Sequence, residues 1–197
     1  EEHPFPESYW GFVDPIGARS SYAEGKRYAE SLVVNYRVRF QLEAKIIRIF
    51  NTYGPRMRLA DGRMLPDFAA AALENADLAI YGDPSWQGSY NYISDLIEAL
   101  LKMMNSSETG PINIGNPEPH TMREIAERVI KLTGSQSRIV TRDPLPFTAK
   151  QGLPDIALAK ERLGWFPVVP LEKGLEQTIE FMKGSRVMRL EKLPTGL

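Results

Sequence analysis

The stretch that most limits the folds open to this chain runs from Ser20 to Met57, where a helical segment, a short apolar strand and a Gly-Pro turn follow in direct succession. Ser20 or Ser21 can cap a helix reaching about Phe40, and Tyr28, Leu32, Tyr36 and neighbouring Val33 give it an apolar stripe at helical spacing. From Glu43 to Phe50 the pattern alternates and then runs apolar, as a buried strand does. The turn beyond, Asn51 to Arg63, is polar and holds Arg56, Arg58 and Arg63. Helix, strand and polar turn form the unit of an open α/β sheet, which takes its ligands at the carboxyl ends of its strands. Tyr22 and Lys26 stand four residues apart at the helix start, one above the other on one face. An ammonium one turn from a phenol favours the phenolate and draws its pKa down from about 10, as a tyrosine base requires. The same spacing occurs in ordinary surface helices, so the pair takes its weight from the strand and turn that follow.

The rest of the chain continues the alternation. The pattern predicts a helix over Leu65–Glu74, a strand over Ala76–Tyr81 and an extended piece at Ser89–Ile93. A helix capped by Ser94 follows through Met104, with Leu96, Ile97, Leu100 and Leu101 toward a core. After a brief strand at Pro111–Gly115, Thr121 to Glu124 reads as a capping box opening a helix to about Leu132. Arg138–Thr141 is a strand, 143–154 a proline-rich loop, and Asp155 caps a helix ending at Gly164. The last helix spans Leu171–Lys183, with Leu175, Ile179 and Phe181 in its apolar set, before a tail without a core pattern. The fold class expected is α/β. Residues 1–60 read as the later half of a doubly wound Rossmann-like sheet. Residues 61–184 read as a smaller substrate-binding α/β part with some segments returning to the sheet, and 185–197 as a tail. No G-x-G-x-x-G occurs, so the dinucleotide fingerprint is missing from these residues.

Composition excludes several function classes. A net charge of -1 without any basic run argues against a nucleic-acid footprint. The absence of cysteine removes disulfides and thiolate chemistry, and with two histidines a His-based metal site is disfavoured. No apolar run approaches the roughly 18 residues of a membrane span and no signal peptide is present, so a cytoplasmic protein is expected. His120 and Trp86 read as surface residues, Asn113 and Asn116 as strand-end turn residues, and Trp165 and Pro167 as structural.

Beyond spacing, the chain resembles the extended short-chain dehydrogenases/reductases, and among them the UDP-glucuronate decarboxylases that make UDP-xylose. The resemblance lies in Pro6 to Gly11, Ser20 to Arg27, Arg48 to Met57, Asp61-Gly62-Arg63, Tyr92 to Asp95, Gly110 to Pro117, and Pro154-Asp155-Ile156 leading to Leu163-Gly164-Trp165. Tyr-x-x-x-Lys is shared across the superfamily, whereas Phe50 to Met57 is much more specific. The resemblance implies that this is the C-terminal part of an enzyme whose preceding residues carry the glycine-rich NAD loop. It implies NAD as cofactor, a UDP-sugar as substrate, and a homodimer formed through the helix of Tyr22 and Lys26. Oxidation at C4 of the sugar, loss of carbon dioxide and reduction at C4 would follow in turn. In that cycle Tyr22 would be the base and later the acid, with Lys26 lowering its pKa and bonding the nicotinamide ribose. Thr52 would join them at the cofactor, and Tyr36, Asn51, Arg63 and Tyr81 would contact the substrate.

Four positions depart from the family pattern. Gly88 and Gly152 stand where the family has arginines, Ala23 where it has aspartate, and Pro66 where it has serine. A buried charge-assisted contact contributes about 1.5–3 kcal/mol, so the two missing arginines predict weaker anion binding unless Arg56, Arg58 or Lys150 compensates. A related epimerase or dehydratase, or a non-catalytic binding module, are the alternatives these departures leave open.

Overall fold

A computed structural model of the chain describes residues 4–57, 62–146 and 152–191. Arg58, Asp61 and Lys150 lie outside the described residues, as does the tail from 192 to 197. Among the described residues the helices are α1 (Ser20–Phe40), α2 (Met64–Leu73), α3 (Ile93–Asn105), α4 (Met122–Thr133), α5 (Ala157–Leu163) and α6 (Leu171–Glu191). The strands are short: β1 (Ile47–Ile49), β2 (Thr52–Tyr53), β3 (Leu78–Tyr81), β4 (Gln87–Gly88), β5 (Asn91–Tyr92), β6 (Ile112–Ile114), β7 (His120–Thr121) and β8 (Ile139–Arg142).

Parallel pairing joins β1 to β6, β2 to β5 and β3 to β8, each through a crossover that carries at least one helix. β4 and β7 pair antiparallel, with Gly88 opposite His120. Two hydrophobic cores result. One packs β3 between α2, α4 and α6, with Phe68, Leu78, Ile80, Ile125, Val129 and Leu175 almost fully buried. The other packs β6 against α3 and α5 around Ile112, Ile114 and Trp165. Burying each such side chain is worth about 1.5–3 kcal/mol.

Local chemistry sets the element ends. Thr121 accepts from the Glu124 amide at 3.1 Å while Glu124 accepts from the Thr121 amide at 2.8 Å, so the predicted capping box is present. Gly134 and Gly164 end α4 and α5 in the left-handed conformation, the position that favours glycine. The N-cap of α5 is Ile156 rather than the expected Asp155; the Asp155 carboxylate, one residue earlier, accepts from the Ala157 amide. The Trp165 indole donates to the Asp95 carbonyl at 2.9 Å, and the Asp95 carboxylate accepts from the amides of Val168 and Val169. Trp165 is therefore a structural pin.

Several sequence expectations are corrected. Ser20 and Ser21 lie inside α1, whose N-cap is Arg19, and Ser94 lies inside α3 behind Tyr92; neither helix has a side-chain cap. On α3 the core face is Leu96, Ala99 and Met103, while Ile97, Leu100, Leu101 and Met104 face outward. The four residues named from sequence span an arc of about 140°, and the core lies on the far side of Leu96, toward Ala99 and Met103. On α6, Met182 rather than Phe181 is buried, and the helix runs past Lys183 to Glu191. His120 is 6% exposed, because β7 pairs inward with β4. α1 contributes no buried residue to either core. No described helix is long and apolar enough to cross a membrane.

Candidate active site

Tyr22 and Lys26 come together as their spacing required. The Lys26 ammonium stands 5.7 Å from the centre of the Tyr22 ring, and the Arg19 guanidinium 5.6 Å from the same ring. Tyr22 is 62% exposed, so its phenol is open to a ligand. Two other tyrosines of this region are not. Tyr53 and Tyr92 pack edge to face at 5.5 Å, and the Tyr53 hydroxyl donates to the Leu171 carbonyl at 3.2 Å. Burial pushes the phenols of Tyr53, Tyr90 and Tyr92 up, which holds them neutral as packing groups.

A bidentate ion pair fixes how α1 lies on β1. Nε and Nη2 of Arg48 each donate to the Glu30 carboxylate at 2.8 Å. The same guanidinium donates to the Glu7 carbonyl at 2.9 Å and reaches the Tyr9 carbonyl at 3.5 Å. The hydrogen bonds from Arg48 hold the Glu30 carboxyl below its usual range, and Glu30 in turn raises the Arg48 pKa. Glu30 lies midway along α1, so the pair ties the middle of the helix to β1. Thr52 stands four residues beyond Arg48, about 13 Å further along an extended chain.

Beyond Ile49 the chain leaves β1. The Phe50 amide donates to the Ile114 carbonyl at 2.9 Å, and the Asn91 amide to the Asn51 carbonyl at 2.8 Å. Asn51 is exposed, and the Thr52 hydroxyl donates to the Phe50 carbonyl at 3.0 Å. Gly54 is needed because a Cβ there would lie 2.9 Å from Cβ of Ile93 at the start of α3.

The other predicted residues are distributed. Arg63, exposed, precedes α2 as its N-cap. Tyr81 ends β3 beside a cleft of about 420 Å³ at the carboxyl ends of β3 and β8, walled by Gly82, Asp83, Trp86, Thr141 and Arg142. Tyr36 lies 14 residues from Tyr22, about 21 Å along the helix, against Phe40 at 5.2 Å. The structure does not bring Tyr36 to the Tyr22 end.

Some participants escaped the sequence reading. Arg142 borders the cleft, although the expected strand stopped at Thr141. Trp86 is half-buried over Gly82 rather than free on the surface. Asn113 is buried within β6, where its amide donates to the carbonyls of Phe5 and Asp155; Asn116 does serve a turn, accepting from the Glu118 amide. Ser89 and Asn91 are fully buried with unpartnered side-chain polar atoms, and Asn91 stands in register with Thr52. Such groups are costly unless something bonds them. Glycine 152 has a local cause: a Cβ there would run into the Phe5 ring.

Comparison with known proteins follows the same outline. The sequence profile of GDP-mannose 4,6 dehydratase matches residues 1–178. UDP-glucuronic acid decarboxylase 3 of Arabidopsis thaliana is 47% identical over 173 residues, 88% of this chain and 51% of that protein. UDP-glucuronic acid decarboxylase 1 of Danio rerio is 44% identical over 92% of this chain and 43% of its own length. The chain thus spans about half the length of the curated relatives it matches. A UDP-glucose 4-epimerase of Thermotoga maritima, solved with UDP-glucose, superposes with a TM-score of 0.86 at 27% identity over 94% of this chain and 59% of that one. A UDP-glucuronic acid 4-epimerase of Bacillus cereus, solved with UDP-glucuronic acid and NAD, gives 0.78 at 26% identity over 91% and 59%. Profile, relatives and superpositions agree: the chain belongs to the GDP-mannose 4,6 dehydratase family and is similar in sequence to UDP-glucuronic acid decarboxylases.

Proposed function

We propose that this chain is the substrate-side part of an NAD-dependent enzyme that converts UDP-glucuronate to UDP-xylose through a C4-keto sugar. One observation carries the reading: on α1, the helix that leads into β1, the exposed Tyr22 phenol has the Lys26 ammonium 5.7 Å from its ring centre. Tyr22 removes the proton of the C4 hydroxyl and returns it at the end of the cycle, with the Lys26 ammonium beside its ring. When bound, NAD supplies the hydride acceptor at C4 and later the donor. Tyr22, Lys26 and Thr52 suit its nicotinamide ribose; its diphosphate requires a glycine-rich loop that these 197 residues do not contain. Once C4 is a carbonyl, the bond to the carboxylate breaks with its electron pair flowing toward that carbonyl, and a proton at C5 completes the loss of carbon dioxide. Asn51, Arg63 and Tyr81 are assigned to the UDP-sugar. Tyr36 is left to packing or to the homodimer expected through α1, whose Tyr28, Leu32 and Tyr36 are all outward.

The test is a titration of the full-length protein with NAD and UDP-glucuronate, following NADH absorbance and carbon dioxide together. Release of carbon dioxide is expected. NADH without carbon dioxide would favour an epimerase or dehydratase, the reading to which Gly88 and Gly152 point. Neither signal from a folded protein would overturn catalysis on this substrate.

A further inference from the structure

We propose that Arg48 is a positioning residue, whose clamp on Glu30 sets the roll and height of α1 on β1 and thereby the aim of Tyr22 and Lys26. The inference rests on the reading of Tyr22 and Lys26 as the acid/base pair. α1 buries none of its residues, so side-chain packing into the cores does not hold it in register. The Arg48 guanidinium joins three segments at one point: Glu30 of α1, the backbone of Glu7 and Tyr9, and β1 itself. The arm it grips is also anchored to the sheet, because the Glu7 carboxylate accepts from the Asn113 amide of β6 at 2.7 Å. Two parallel N–H···O bonds define an orientation as well as a distance, which a single lysine contact does not. Glu30 continues the stripe of Tyr22 and Lys26 at four-residue intervals, so rotation about the clamp moves all three together. A misplacement of about 1 Å at a reacting group costs about 100-fold in rate.

The test uses the full-length protein with NAD and UDP-glucuronate, and the variants Arg48→Ala, Arg48→Lys and Glu30→Gln. Positioning predicts that kcat falls about 10- to 100-fold in Arg48→Ala with KM changed less than about threefold, and that Arg48→Lys recovers part of it. The pH profile separates aim from charge. The charged groups facing the clamp are Glu30 and Glu7, and those facing the phenol are Lys26 and Arg19. Loss of aim moves Tyr22 and Lys26 together and leaves their spacing intact, so kcat falls in both Arg48→Ala and Glu30→Gln while the pH profile of kcat keeps its position. A purely electrostatic influence would shift the two profiles in opposite directions, since one removes a positive and the other a negative charge. Opposite shifts, or an unchanged kcat in folded Glu30→Gln, overturn the proposal. Should Arg48→Ala fail to fold, Glu30→Gln decides by itself. Tyr22→Phe serves as the independent control: full activity there would remove the acid/base reading rather than the clamp.

Discussion

Tyr22, the base in the proposed reaction, is marginal to the stability of the fold. Its phenol is mostly exposed and its ring contacts are with the cations of Arg19 and Lys26. Tyr22→Phe in the full-length enzyme is therefore expected to lower kcat by about 10²- to 10⁴-fold while leaving the urea midpoint unchanged. A retained kcat, or a large drop in midpoint, contradicts that assignment. Gly152 behaves in the opposite sense. Restoring the family's arginine by Gly152→Arg should destabilise by about 1–3 kcal/mol, because the new side chain meets the Phe5 ring. The double variant with Phe5→Ala should recover part of the loss. Equal stability of Gly152→Arg and the parent in denaturant melts would show that the ring moves aside freely. Glu30 adds a pH dependence of known sign. Its carboxyl pKa is lowered in the folded chain, so its contribution is complete above the ordinary glutamate range and is lost as pH falls below about 4. Amide exchange in α1 should accelerate across that interval, beyond the change seen in α4.

At the scale of elements, the cores and the candidate site are separate structures. α4 is fixed at both ends by its own residues, the Thr121–Glu124 box and Gly134, and by a buried face of Ile125, Ala126 and Val129. Thr121→Ala should cost about 1 kcal/mol, read as a lower urea midpoint at unchanged m-value. α1 has neither a side-chain cap nor a buried stripe, and rests on β1 through the Glu30–Arg48 pair. This contrast was partly legible beforehand. The capping box of α4 is a local signal, written in four adjacent residues. That α1 would stand clear of both cores was not legible, since its Tyr28, Leu32 and Tyr36 look like any core stripe. The same ambiguity misplaced Ile97, Leu100 and Leu101, which share α3 with the buried Leu96.

For the molecule as a whole, the proposed function and the lack of a G-x-G-x-x-G among these 197 residues lead to one expectation. The 197-residue chain alone should fold around its two cores yet show no turnover with NAD and UDP-glucuronate; robust activity without added protein would contradict this. The sequence by itself determined the alternation of helix and strand, the pairing of Tyr22 with Lys26 and the family, because each is encoded by residues close together or by a long run of matched positions. Tertiary structure alone decided which stripe of α3 is inside, why Gly152 excludes a side chain, how Trp165 pins Asp95, and that His120 and Asn113 are buried. It also brought Glu30, midway along α1, to Arg48. Those facts depend on contacts between residues far apart in the chain, such as Phe5 with Gly152, and local pattern carries no record of them.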